Sequence, residues 1–215
     1  MNRGKILEAW RKKRASGQRI AGGRGGPDYV FASHEDKLGM RGAGGLLPIG
    51  DANALSLQSA RERVAQADGI PVLAGGCATD PLRLIDKFLE EMKEAGVAGI
   101  QNVPSVGMID GAFRTNLEAA GLGYAKEVEL MRLSADLGLV SAAWVFTPDD
   151  AKRMAEAGAD VVIFHPGLDA REAARDRSKR QEAVAAAARE ARKDILVFAV
   201  GAPEDSKSLD GIQSE

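Results

Sequence analysis

Short apolar runs alternate along the chain with longer segments in which apolar residues recur every three or four positions. The runs at 18–22, 28–33, 70–75, 98–103, 139–146, 160–165 and 195–201 are nearly continuous in apolar content and are bounded by Gly, Pro or Asp. Runs of this kind suit strands of a parallel sheet that is covered on both faces. Between them, 54–66, 81–95, 124–137, 148–157 and 178–193 keep one apolar face and one polar face at helical spacing. Residues 1–16 read as an opening helix with Ile6, Leu7 and Trp10 on one face. Two joints carry an acceptor side chain followed by Pro: Thr79-Asp80-Pro81 and Thr147-Pro148-Asp149-Asp150. Both are expected to cap a helix N-terminus, with Asp80 and Thr147 at the cap. Gly96 and Gly158 close the helices before the next strands, where a left-handed residue is wanted.

This strand–helix rhythm predicts an α/β fold with a parallel sheet. The 215 residues suffice for one domain, 1–215, and not for two. A doubly wound dinucleotide fold would place a Gly-rich turn between the first strand and a helix. Here Gly22-Gly23-Arg24-Gly25-Gly26-Pro27 leads straight into another strand. A (β/α)8 TIM barrel needs at least about 200 residues, so this chain sits at the short end. Its first two strands are joined without a helix, and an eighth strand, 209–214, is very short. The expected fold is therefore a TIM barrel shortened or irregular in its first and last βα units. A barrel missing a helix exposes apolar strand surface, so self-association into a homo-oligomer is expected.

Charge and cysteine content narrow the partners. Lys+Arg 29 against Asp+Glu 31 gives a net charge of −2, which offers no electrostatic footprint for nucleic acid or an anionic membrane. No apolar run reaches the length of a membrane span, and the basic N-terminus lacks the apolar core of a secretory signal. The one cysteine, Cys77, cannot form an intrachain disulfide. A cytoplasmic protein is expected. No HxH, HExxH or CxxC pattern and no acidic cluster at strand ends suggests a metal site.

The middle of the chain carries long, specific strings: GLLPIGDANAL from Gly45, PVLAGGCATDP from Pro71, GIQNVPSVGMIDGAFRTNLEAAGLGYAKEVELMR from Gly99 and AEAGADVVIFHPGL from Ala155. They resemble the phosphoenolpyruvate hydrolase-like family, also described as TIM-barrel signal-transduction-like proteins. The resemblance implies a (β/α)8 barrel acting on a small phosphorylated or phosphono 2-oxo acid. The chain departs from the family pattern at both ends and at Val200-Gly201-Ala202-Pro203, where the family carries a His-Gly-Gly-Pro type of turn. His34-Glu35-Asp36-Lys37 superficially resembles the Glu-Asp-Lys run of Mg2+-dependent mutase and lyase barrels. Mg2+ is otherwise unsupported, because no acidic residues on neighbouring strand ends accompany it.

Barrel chemistry sits at the C-terminal ends of the strands, which converts the strand list into a residue list. His165, after the sixth strand, is the candidate general acid or base, with Asp80 assisting. Gln101 and Asn102, at the end of the fourth strand, and Arg114, a bidentate donor, are candidates to orient the carboxylate or enolate oxygen of an anionic substrate. Gly167 and Gly201 offer backbone amides to a phosphate. His34 is expected to be a solvated loop residue and Cys77 a small buried thiol. Residues 104–123 form a long insertion that reads as a lid. A non-catalytic ligand-binding or signalling barrel is the alternative reading.

Overall fold

The computed structural model describes residues 2–18, 20–23, 26–38, 43–167, 174–200 and 212–214. Eight strands, β1 (Gly22–Gly23), β2 (Tyr29–Ala32), β3 (Val72–Gly75), β4 (Gly99–Gln101), β5 (Val140–Val145), β6 (Val161–Phe164), β7 (Leu196–Val200) and β8 (Ile212–Ser214), close into a barrel in chain order. β1 to β7 run parallel. The helices are α1 (Arg3–Ala15), α2 (Glu35–Leu38), α3 (Ala52–Gln66), α4 (Ile85–Glu94), α5 (Gly111–Ala119), α6 (Tyr124–Asp136), α7 (Pro148–Glu156) and α8 (Ala174–Ala191). The barrel is irregular at its seam, as its short ends suggested. β8 is antiparallel to both β7 and β1. Only residues 24–28 separate β1 from β2. There Asp28 ties the two together, accepting from the Ala21 amide (2.7 Å) and from Lys13 Nζ (2.6 and 2.7 Å).

The period-two alternation of the strands sorts their side chains into two cores. Tyr29, Leu73, Val140, Ala142, Val161, Ile163, Leu196 and Phe198 point inward and fill the barrel. Val30, Val72, Ala74, Ile100, Ala143, Val145, Val162, Phe164 and Val197 point outward against Phe88, Leu89, Met92, Leu130, Met131, Met154 and Val184 of the helices. This explains the continuous apolar runs, since neither strand face meets water.

α1 closes the barrel at the N-terminal ends of its strands. Ile6, Leu7 and Trp10 join the inner core, and the Trp10 ring lies 5.5 Å from Tyr29 and 5.9 Å from Phe198. Polar contacts around the rim fix the helix. Arg3 makes a two-pronged bond to buried Asp160 ahead of β6 (2.7 and 2.8 Å) and donates to the Ala135 carbonyl. Arg11 reaches Asp194 ahead of β7.

Helix boundaries follow the caps with one correction. Thr147 and Asp150 form a complete capping box on α7, with Pro148 in the first turn. Gly96 and Gly158 have φ of +86° and +93°, the left-handed exits the sequence called for. Asp80, however, caps no helix. α4 begins at Ile85 behind Leu84, without a side-chain cap. Asp80 Oδ1 instead accepts from the Leu82 amide two residues on (2.8 Å), closing a tight turn that Pro81 favours.

The plug at the base makes a direct demand on stability. Trp10→Ala is expected to cost about 3–5 kcal/mol in denaturant unfolding. A loss below about 1 kcal/mol would show that α1 is a peripheral helix rather than part of the core.

Candidate functional site

The mouth of the barrel is organised by Trp144, an inward-facing residue of β5. Its Nε1–H donates to Gln101 Oε1 at the end of β4 (2.9 Å). Its ring stacks on His165, just beyond β6, with centroids 4.9 Å apart and planes 21° apart. Phe146, just beyond β5, tilts against the same imidazole at 5.8 Å. The turn at Ala43–Gly45 runs over the indole. A Cβ on Gly45 would stand 3.6 Å from Trp144 Cζ3 and 3.2 Å from Met108 Cε. Gln101 and His165, predicted from separate strand ends, thus meet on one aromatic platform.

The protonation of this platform follows from its contacts. His165 is buried, and its Nδ1 accepts from the Gly167 amide (3.0 Å). The neutral ring therefore carries its proton on Nε2. Burial, helped by the nearby Arg180 guanidinium, pushes its pKa down to about 4. His165 is thus a neutral hydrogen-bond donor at physiological pH. Gln101 is fully buried, and its Nε2 has no hydrogen-bond partner among the described residues. The Tyr29 hydroxyl, also buried near Gln101, lacks a well-formed bond too.

Asn102 lies on the other face of the chain from Gln101, as period-two alternation requires. It sits between sheet and α6, where its Oδ1 accepts from the Trp144 amide (2.6 Å) and its Nδ2 donates to the Trp144 carbonyl (3.2 Å). The same Nδ2 donates to Glu127 of α6 (2.5 Å). Ser105 Oγ and the Val106 amide also donate to Glu127, each at 2.7 Å. The Tyr124 hydroxyl adds a further bond to the Trp144 carbonyl (2.5 Å). Glu127 is 1% exposed, and burial raises its pKa to about 7 against the pull of these donors. Sequence reasoning passed over Glu127. The available signal was its place on the apolar stripe Tyr124, Glu127, Leu130, Met131, Ser134, all of them buried.

The other predicted residues lie apart from the platform or are already engaged. Arg114, on α5, donates to Glu118 (2.6 Å) and to the Val106 carbonyl (2.9 Å), and stacks over the Tyr124 ring. The Gly167 amide is taken by His165. Asp80, after β3, keeps its Oδ2 buried without a hydrogen-bond partner among the described residues. Gly201 lies outside the described residues. His34 is corrected from a solvated loop residue to a fully buried one. Its amide is held by Ser56 (3.0 Å), and burial lowers its pKa against the opposing pull of main-chain hydrogen bonds at Gly44 and Leu47. Cys77 is buried as expected, and burial raises its pKa. Among the described residues, no group of three His, Cys, Asp or Glu is placed to hold a metal ion, and no helix is long and apolar enough to cross a membrane.

The family model described as phosphoenolpyruvate hydrolase-like matches residues 20–209. The chain belongs to that family. It is 45% identical over 147 residues to the ToMV resistance protein Tm-1 of Solanum lycopersicum, a stretch that covers 67% of this chain and 20% of that protein. It is 33% identical over 150 residues to a putative transcriptional regulatory protein, y4pA, of Sinorhizobium fredii, covering 68% of this chain and 25% of that protein. The match thus spans about a fifth to a quarter of these curated relatives.

Glu127 and His165 have opposite effects on the pH dependence of stability. Glu127 is raised from 4.5 to about 7. Its contribution is full below 4.5 and is lost as pH rises to 7, about 3 kcal/mol in all. His165 is lowered from 6.5 to about 4. Its contribution is full above 6.5 and is lost as pH falls to 4, by a similar amount. Between pH 4.5 and 6.5 the two contributions are expected to cancel each other. In urea unfolding across this range, Glu127→Gln should make stability rise with pH, and His165→Gln should make it fall. Parallel curves for all three proteins would contradict the assignment.

Proposed function

We propose that the barrel mouth binds a small 2-oxo acid bearing a phosphoryl or phosphonyl group, of the phosphoenolpyruvate kind that the family's description suggests. The observation that carries this reading is the platform itself. One indole joins the Gln101 amide and the His165 imidazole at the C-terminal ends of β4 and β6. In this reading Gln101 Nε2–H and His165 Nε2–H are two neutral donors for the carboxylate and oxo oxygens. Trp144 and Phe146 form the apolar wall behind the planar carbon skeleton. Neutral donors suit the task, because a fixed dipole in a water-poor site binds an oxyanion without adding a second buried charge to be desolvated.

Hydrolysis is the second reading, and the family's description favours it. Water would attack phosphorus, the bond from phosphorus to the enol oxygen would break, and pyruvate and inorganic phosphate would leave. The attacking water must lose a proton, for which the partnerless Oδ2 of Asp80, beyond the C-terminal end of β3, is the candidate acceptor, and the released enolate takes up one proton at carbon as it becomes pyruvate. His165 would then orient the substrate and not shuttle the proton, since its ring is neutral with Nδ1 already occupied.

One pair of measurements separates the readings. Phosphoenolpyruvate and phosphonopyruvate are added to the wild type, Gln101→Leu and His165→Ala, with and without Mg2+. Melting temperature and phosphate release are then followed. Ligand at a hundredfold excess over Kd should raise the wild-type melting temperature by about 5 °C or more, and each variant should lose most of that rise. Phosphate release that disappears in Asp80→Asn marks an enzyme, and a melting shift without release marks a binding module. Neither shift nor release in the wild type, or an equal shift in both mouth variants, would overturn the proposal.

A further inference from the structure

The ladder between β4 and β5 stops early. Its last pair is Ile100 with Ser141, three residues before Trp144. On its other side Trp144 is paired with Ile163 of β6. The Trp144 peptide would therefore face β4 unpaired, and the side-chain amide of Asn102 takes the place of the missing strand, giving it one donor and one acceptor. A primary amide has two N–H groups and can turn freely about its last bond. Beyond Trp144, its Nδ2 also donates to the Glu127 carboxylate, with the Tyr124 hydroxyl within reach, and the Glu127 bond fixes which way the amide is turned.

Glu127 also holds the opposite side of the mouth. Its bonds from Ser105 and Val106 anchor the turn Val106–Met108. Within that turn Gly107 lies so close to Phe146 that a Cβ there would stand 2.2 Å from the ring, and Met108 shares the neighbourhood of Gly45 with the Trp144 indole. One carboxylate thus joins the main chain beneath Trp144 to the turn beside Phe146.

We propose that Glu127 is the positioning residue of the mouth, fixing Trp144 through Asn102 and the bordering turn through Ser105 and Val106. A purely packing role would be served at lower cost by an apolar side chain, because burying a carboxylate is expensive even with three donors. Its value as a ligand-site element rests on the mouth being the binding site, whereas its hold on Trp144 does not.

Protonation weakens that hold. Each of the three donors bonds more strongly to a carboxylate than to a neutral acid. The raised pKa places this change within reach of neutral pH. The titratable and charged groups facing Glu127 are Cys77 beyond β3, Arg114 of α5, Tyr124 one turn earlier on α6, and, across the Tyr124 ring, Asp150 and Arg153 of α7. Burial pushes Cys77 and Tyr124 upward, so both stay neutral around pH 7. Asp150 is also raised by burial and is the one competing carboxyl. His165, which stacks on Trp144, titrates near 4, well below the window.

The test uses the ligand-free protein. In a Trp10→Phe background, Trp144 is the sole tryptophan, and its fluorescence is followed from pH 5.5 to 8.5. A sigmoidal change centred near 7 is expected. Glu127→Gln should abolish it. Ser105→Ala removes one donor to the carboxylate and should move the midpoint upward by roughly half a unit or more. A flat wild-type profile, a transition that survives in Glu127→Gln (which would assign it to Asp150), or an unmoved midpoint in Ser105→Ala would each overturn the proposal. Should Glu127→Gln fail to fold, the Ser105→Ala midpoint decides alone. A clear transition in a protein that binds no phosphonopyruvate would leave the positioning role standing and remove only the proposed ligand.

Discussion

The mouth of this barrel depends on a side chain acting as a strand. Where β4 and β5 part, the Asn102 amide closes the gap by bonding both the N–H and the C=O of Trp144. Opening the sheet there gives the indole room to turn inward, and the amide keeps the opening from fraying. Everything at the candidate site follows from the indole's position. Its N–H reaches Gln101, its face meets His165, and its outer edge lies under the Ala43–Gly45 turn. A buried carboxylate on α6 completes the bracket. The polar residues of the outer layer therefore build the mouth without lining it.

Much of the architecture was legible because burial on both faces leaves a plain mark on a sequence. Six of the seven parallel strands, β2 to β7, lie within the continuous apolar runs, β1 meets its run only at Gly22, and the capping box at Thr147 and the glycine exits at 96 and 158 lie where turn chemistry put them. Boundaries were less legible where two local preferences compete. Asp80 before Pro81 satisfies the rule for a helix cap, yet its side chain closes a tight turn and α4 starts four residues after the proline. A cap motif records that a main-chain donor will be satisfied, and not which structure follows it.

The site was legible only in part, for a geometric reason. Strand ends identify which residues reach the mouth, and that rule found Gln101 and His165. It does not say which of two consecutive residues points inward, so Gln101 and Asn102 appeared equivalent while occupying opposite faces. Glu127 stayed hidden because it is a charged residue at an apolar position, a departure from pattern that periodicity treats as noise. His34 was misplaced for the converse reason: a polar neighbourhood in sequence, Ser33 to Lys37, folds so that the imidazole turns inward and is fully buried. The two ends of the chain were read correctly as irregular. α1 plugs one end of the barrel, and an antiparallel β8 closes its seam, in a chain whose family match covers residues 20–209.

The central claim is that the Trp144 platform is where a ligand binds. The two tryptophans lie at opposite ends of the barrel, Trp10 in the basal plug and Trp144 at the mouth, so their indole N–H signals in a proton–nitrogen correlation spectrum form an internal control. On titration with phosphonopyruvate, the Trp144 signal should move saturably and the Trp10 signal should stay in place. A stationary Trp144 signal, or a Trp10 signal that moves as far, would contradict the account.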